Sequence, residues 1–444
     1  MNHLSTLAEF VATAAPSKNV IDKTALILAD SVGAIVGGAA EPEVAALSAQ
    51  QQSGSRGPAA IIGTGAFAAA GTAAFVNGTA GTTLEMDEGN QFCKGHPAMH
   101  VIPAALAEAA HGSASGRELL SAIAVGYEAA ARVGIATALR PSMHPHGTWG
   151  AIGAVAAVMR LRGASGEEIR NGMNIAANLG LTTSRRTMLE GGTVRNVFAG
   201  ISNQMGLLAA DLVASGYSGD AYGVSHVFGT VASDSFDADK LVDQLGRRWE
   251  VMRNYFKMHS CCRYNHAALD ALEQLRHDTP GLTADAVAKV DVETYGLAVE
   301  LDDPAPRNVL AAKFSVPFAL ATALVQGSSG VSSFTQDKVE DRKTLDLAAR
   351  IGVTEDPSMS AQLPDMRPAR VTLHMCDGTI LRAETRTNRG DYADPYSSHE
   401  IRAKYQSLTR RRWTQSQANS AWGAIMELNN ASNLKTLFET LKAP

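Results

Sequence analysis

The chain has 444 residues, with 39 Lys plus Arg against 44 Asp plus Glu, a formal net charge of −5, and only 19% charged residues beside 45% hydrophobic ones. That balance excludes a general affinity for nucleic acid or anionic membrane, a disordered chain and a collagen-like repeat. The four cysteines, Cys93, Cys261, Cys262 and Cys376, form no C-x-x-C pair, which removes a disulfide scaffold and a zinc knuckle and fits a reducing compartment. The start carries no basic region leading into an apolar cleavage segment. Apolar runs such as 150–159 stop at Arg160, short of the roughly 18 residues that cross a bilayer. A cytoplasmic protein without membrane contact is therefore expected.

Taken in chain order, the spacing to about His266 is helical. Val20, Thr24, Ile27, Leu28 and Ser31 share one face of a helix running to Gly37-Gly38. Further helices are predicted over 116–139, over 166–177 behind the capping box Ser165/Glu168, and over 192–214. After Ala267 the pattern changes. Residues 288–295 alternate like a strand, and 369–375 and 379–386 flank a Cys376-Asp377-Gly378 turn whose Asp-Gly pair accepts positive backbone angles, a hairpin signal. Between them 309–325 reads as a helix broken or kinked at Pro317. From Ser397 the spacing is helical again. The expected fold is mainly α: an all-helical domain from 1–266 and 397–444, carrying an inserted α+β domain, 267–396.

Three clusters could carry chemistry. Residues 79–100 crowd Glu85, Asp87, Glu88, Lys94, His96 and His100 among Gly and Thr, a loop able to converge acids and bases on one pocket or, blandly, a solvated acidic loop. Arg140, His144 and His146 precede an apolar helix, where free backbone N–H groups favour a carboxylate; the plain alternative is histidines that cap and fill. The third cluster holds Tyr255, Lys257, His259, Cys261, Cys262, Arg263, Tyr264 and His266. Lys257 or His259 could act as acid or base if burial lowers its pKa, while Cys262 is a polar wall or core. Arg195 and Lys313 are isolated positives that composition alone assigns to the surface. Gly63-Thr64-Gly65 mimics a dinucleotide fingerprint without the βαβ context, and His96 with His100 mimics a metal pair without H-E-x-x-H. No G-x-S-x-G elbow is present.

Several runs together resemble the MmgE/PrpD family: Leu28-Ala29-Asp30-Ser31-Val32-Gly33, Phe75 to Glu88, His96-Pro97, Gly126-Tyr127-Glu128, His144-Pro145 with Gly147-Thr148, and Cys262 to His266. The resemblance covers nearly the whole chain. It implies a homodimer of two-domain subunits and a pocket between domains that uses no cofactor and no metal. It also implies a small di- or tricarboxylate as substrate. On that resemblance Glu85, Asp87 and Glu88 fill an acidic pattern whose first member is usually Asp, and His96 and His144 match pocket histidines. His146 stands where Thr is frequent, Arg195 and Cys262 where the decarboxylase branch has Lys and His, and Lys257 matches a second lysine. His96, Lys257, His144 and Glu85 are the expected catalytic set; Arg195, Asp87, His146, Arg263 and Cys262 are the expected substrate contacts. Because Arg cannot give up its proton, the substitution at 195 argues against decarboxylation. The expected activity is a cofactor-independent epimerase of an amino-dicarboxylate resembling iminodisuccinate, removing and returning a proton next to a carboxylate. The alternative is a hydro-lyase or decarboxylase of a methylcitrate- or aconitate-like acid.

Overall fold

The computed structural model describes residues 3–443 and is mainly helical with small sheets. Ala and Gly bring the helices into close contact. A Cβ on Gly38 would lie 1.9 Å from the Ala80 carbonyl oxygen, so the Lys18–Gly38 and Ala70–Thr83 helices touch backbone to backbone. Likewise Gly126 and Gly153 face each other where Gly116–Ala136 packs on Gly150–Leu161. Interiors of this kind are dense, and a single added methyl is felt.

Helix boundaries follow the capping chemistry. Ser165 accepts from Glu168 N while the Glu168 carboxylate accepts from Ser165 N, opening Gly166–Asn178 as expected. The helix begun at Gly116 ends at Ala136, earlier than expected, because Thr137–Leu139 turns into a short strand paired with Ser233–Phe236. The segment expected as one helix over 192–214 starts as a 3-10 turn, Thr193–Val197, before Phe198–Ala214. Two segments, Gly116–Ala136 and Thr193–Ala214, do reach the length and hydropathy of a membrane span, contrary to expectation. The first is almost wholly buried within the protein and the second half-buried. Gly63 and Gly65, both at positive φ, turn the hairpin Ala59–Ile61/Ala66–Ala68, which accounts for the dinucleotide-like spacing.

A second set of elements surrounds a four-stranded sheet in the order Ile351–Glu355, Val287–Thr294, Ala369–Met375, Ile380–Thr385. The first pair is parallel and the others antiparallel, with Val290 opposite Leu373 and Val292 opposite Val371. Ala369, Val371 and Leu373 point inward, as alternation requires. The hairpin turns through Cys376-Asp377-Gly378 as expected, with one left-handed residue, Gly378, and Asp377 accepting from Thr379 N. Pro317 does not kink a helix. Val309–Lys313 ends first, Ser315 caps Val316–Gln326 by accepting from Phe318 N, and Pro317 occupies the first turn, where its missing N–H costs nothing.

The buried apolar side chains form two large clusters. One joins the helices up to Phe256 with Ile401, Tyr405, Trp413, Trp422 and Leu437 from the C-terminal helices. The other runs from Cys261 to Ala383 and includes Met188. The segment 255–266 passes from one to the other and carries the third chemical cluster.

Candidate functional site

The acidic loop leaves the Ala70–Thr83 helix and returns as the Pro97–Ala109 helix. Its backbone is held on both sides. Gly89 and Tyr255 exchange both backbone hydrogen bonds, Asn90 and Gly95 do the same, and the Ser260 hydroxyl donates to Leu84 O. Gly95 has no room for a side chain, since a Cβ would sit 2.4 Å from the Trp149 ring. Of three non-glycine residues at positive φ among the described residues, two are here, Glu85 at 54° and Lys94 at 57°. Such strain is kept only where surrounding contacts enforce it.

Within this loop the acids are buried, not solvated. Glu85 faces Arg195 on one side and Lys257 at 3.0 Å on the other, and Asp87 lies 3.6 Å from Lys257. All four side chains are at most 1% exposed. Burial alone would raise both acids, but Arg195 and Lys257 hold Glu85 below the usual range and His96 and Lys257 hold Asp87 well below it. Lys257 responds in the opposite sense to expectation. Burial pulls its pKa down, yet Glu85 and Asp87 carry it above the ordinary lysine value, so it stays an ammonium. His259, the other candidate of that cluster, turns away, with Nδ1 at 2.5 Å from Ser329 Oγ and Nε2 at 3.1 Å from Asp270.

His96 Nδ1 lies 2.7 Å from the Glu88 carbonyl and 3.0 Å from Asp87 Oδ2. Both neighbours only accept, so a proton sits on Nδ1, and Nε2 is the nitrogen that can take or give one. His144 has the complementary arrangement. Its Nδ1 accepts from His146 N at 3.0 Å, leaving Nε2–H as a donor, and burial together with Arg195 and Arg185 keeps the ring neutral by driving its pKa well down. His146 is neutral for the same reason, burial first and Arg195 next, and neither of its ring nitrogens has a hydrogen-bond partner among the described residues. The three rings meet edge to face, 4.7 to 4.8 Å between centroids.

One pocket collects these groups. Glu85, Lys94, His96, His144, His146, Arg195, Cys262 and Arg263 line it. Asp87 and Lys257 do not line it but stand directly behind Glu85 and His96. Cys262 is a neutral wall, its thiol pKa raised by burial. Arg263 spends most of its guanidinium on Asp391 and on the carbonyls of Asn388 and Arg389, leaving Nε without a partner. Arg140 is outside the pocket, and so are residues 148–150, so the start of the Gly150–Leu161 helix does not present an anion site there. His100 is no partner for a metal beside His96. Its Nδ1 donates to His96 O and its Nε2 accepts from Gly147 N, and burial lowers its pKa to about 4.

Sequence reading missed Arg185, Arg367, Met188 and Phe314, which also line the pocket. Arg367 sits in a loop between Pro364 and Pro368 with no motif around it, and Arg185 is one of an Arg-Arg pair; nothing in their spacing marks them. Lys313 and Arg195 are not surface charges. Lys313 is 3% exposed, donates to Thr83 O, and burial brings its pKa down to about 8. In sum the pocket presents five cations, Lys94, Arg185, Arg195, Arg263 and Arg367, against the single carboxylate of Glu85. Such a lining suits a small polyanion, and beside the cations stands an imidazole whose Nε2 can exchange a proton.

Residues 3–236 match the MmgE/PrpD N-terminal domain and residues 259–430 the MmgE/PrpD C-terminal domain. Cis-aconitate decarboxylase of Aspergillus terreus is 23% identical over 418 residues, 87% of this chain and 84% of the relative. A cis-aconitate decarboxylase-like protein, oryM, of Aspergillus oryzae is 22% identical over 395 residues, covering 82% and 81%.

Proposed function

Because the chain belongs to the MmgE/PrpD family, we propose that it is a lyase acting on a small polycarboxylate of the aconitate or methylcitrate kind, with decarboxylation of an aconitate-like acid the first reaction to test. The carrying observation is His96, its tautomer set by Asp87 and Glu88, opening onto a pocket lined by five cations. The relatives' name supports the substrate class. The guanidinium groups neutralise carboxylates and the negative charge that develops on carbon when a carboxylate leaves as carbon dioxide or a proton is removed. In decarboxylation the C–C bonding pair stays on the substrate and takes a proton. Arg195 cannot release one, so His96 in its protonated form is the donor, and Lys257 serves as fixed positive charge behind Glu85. In dehydration His96 instead removes the proton next to the carboxylate, the C–H pair forms the alkene, and His96 passes that proton to the departing hydroxyl, which leaves as water.

An amino-dicarboxylate epimerase is the second reading. It is favoured by one observation, that His146 offers a second neutral imidazole with uncommitted nitrogens in the same pocket. The reading extends to architecture: 267–396 as an α+β unit inserted into a helical body from 1–266 and 397–444, the pocket between them, and a homodimer in the cytoplasm. Incubation of the purified chain with cis-aconitate, methylcitrate and iminodisuccinate in deuterated water, followed by NMR and carbon dioxide release, separates the outcomes. Carbon dioxide or a new alkene supports the lyase; label at a stereocentre without either supports the epimerase. No change in any substrate removes both.

A further inference from the structure

We propose that Arg367, with Lys94 beside it, forms the subsite for a substrate carboxylate remote from the reacting carbon. The inference rests on the polycarboxylate reading and makes it more specific. Three of the four arginines lining the pocket already face a carboxylate: Arg185 contacts Glu300, Arg195 contacts Glu85, and Arg263 contacts Asp391. Arg367 makes no ion pair among the described residues, and Asp391, the acid that acts on it from further away, is already paired with Arg263. Arg367 is 5% exposed, donates once, from Nη2 to Gln91 O at 3.1 Å, and its guanidinium lies 5.5 Å from the Tyr264 ring centre. A guanidinium does not shed its charge, so burying one without a counter-ion is costly unless a ligand supplies the anion.

Lys94 repeats the pattern. It lines the same pocket, makes no ion pair among the described residues, and is held in a left-handed backbone conformation by the loop. Burial first, then the neighbouring Arg367 and Lys240, lower its pKa, as repulsion between cations close together does. The Arg367 backbone is also fixed. Gln91 Nε2 donates to the carbonyls of Pro364 and Asp365, and Arg367 returns a bond to Gln91 O, so the loop that bears His96 and the segment that bears Arg367 clasp each other. The planar fork suits a carboxylate held by two parallel bonds. A ligand touching both His96 and Arg367 therefore needs a carboxylate away from its reacting carbon, which favours tri- and dicarboxylates over monocarboxylates.

The test is calorimetric titration of the full chain, wild type and variants, with cis-aconitate and separately with inorganic phosphate. Arg367→Gln is expected to weaken cis-aconitate roughly 10- to 100-fold, the range for a hydrogen-bonded charge. Arg367→Lys should recover only part, because the fork is lost. Lys94→Asn, at an exposed position and with a residue that tolerates positive φ, keeps the protein folded if Arg367→Gln does not; it should weaken binding about 3- to 10-fold. Unchanged affinity in Lys94→Asn and in every folded Arg367 variant, with wild type binding cis-aconitate, overturns the subsite and leaves the lyase reading standing. Phosphate binding that falls in the variants, with no cis-aconitate binding in wild type, keeps the anion site and removes the polycarboxylate reading. Wild type binding neither probe overturns both.

Discussion

Lys404 comes from the Ser398–Thr409 helix of the C-terminal part, far in sequence from the acidic loop, yet its ammonium lies 2.6 Å from Asp30 Oδ1 and donates to Met86 O at 2.6 Å. Met86 stands between Glu85 and Asp87, so this one side chain ties the C-terminal helix to the backbone that aims both acids. Both partners are at most 1% exposed as side chains, and Asp30 finds no hydrogen-bond donor to replace the ammonium. Lys404→Met should therefore destabilise by about 3–5 kcal/mol, the cost of leaving one partner of a buried pair behind. For a cooperative unit of about 300 residues that is a Tm fall of roughly 5–8 °C. Burial already raises the Asp30 pKa, with Lys404 opposing it, and removing Lys404 raises it further. A raised carboxyl pKa means the folded state holds a proton the unfolded state has lost, so the penalty is present at neutral pH and fades as pH falls towards the unfolded value near 4. Asp30→Asn together with Lys404→Met removes both charges and should cost at least about 2 kcal/mol less than the two single changes summed. Differential scanning calorimetry between pH 4 and 8 reads all three variants. Single effects that add within about 0.5 kcal/mol, or a Lys404→Met penalty that does not change with pH, would refute the reasoning.

Glu88 gives a pH dependence of known sign. Its carboxyl is pushed up to about 8 by burial; Ala98 N donates to Oε1 and Tyr127 lies 3.2 Å from Oε2. The folded state thus keeps a proton between about pH 4.5 and 8, and stability declines across that window by on the order of a few kcal/mol as pH rises. Glu88→Gln copies the protonated form, so its melting temperature should stay flat across the same window and exceed wild type at pH 8, as thermal melts in matched buffers will report. Asp87→Asn keeps the size of the side chain but frees the His96 tautomer, and should lower kcat about 100-fold or more with little change in KM; equal activity would remove Asp87 from the mechanism. Gly38→Ala drives a methyl into the Ala80 carbonyl and should cost about 1–3 kcal/mol or prevent folding, read by soluble yield and Tm.

What could be read in the sequence was what depends on neighbours in the chain. The capping box at Ser165, the strand Val287–Thr294 and the hairpin around Gly378 are local, and the structure has them within a residue or two. The 3-10 turn at Thr193–Val197 was not legible, because Thr82 Oγ1 donating to Asn196 O and Arg195 reaching Glu85 are contacts across more than a hundred residues. The same division runs through the site. Glu85, Asp87, His96, His144, Lys257 and Cys262 stood in dense clusters of reactive residue types and do come together, whereas Arg185 and Arg367 are ordinary basic residues brought to the pocket by folding alone. His259 shows the reverse error. Two residues from Lys257 in the chain, it points to Ser329 and Asp270, while Lys257 and Ser260 on either side reach the acidic loop.

Lys257 and Lys313 show why burial by itself does not assign a role. Both are essentially enclosed, at 0% and 3% exposure, and burial penalises the charge of each. Lys257 has two carboxylates within 3.6 Å and ends above the ordinary lysine value; Lys313 has only the Thr83 carbonyl as hydrogen-bond partner, feels Glu85 from further away, and ends at about 8. The difference is set by which acids the fold delivers, and Glu85 reaches Lys257 because its own backbone accepts a left-handed angle. The groups beside the site brought to about 8 are Lys23, Glu88 and Lys313, so an alkaline transition there belongs to one of these and not to Lys257. A pH profile of activity whose upper limb persists in Lys23→Met, Lys313→Met and Glu88→Gln alike would place the titrating group elsewhere and break this assignment.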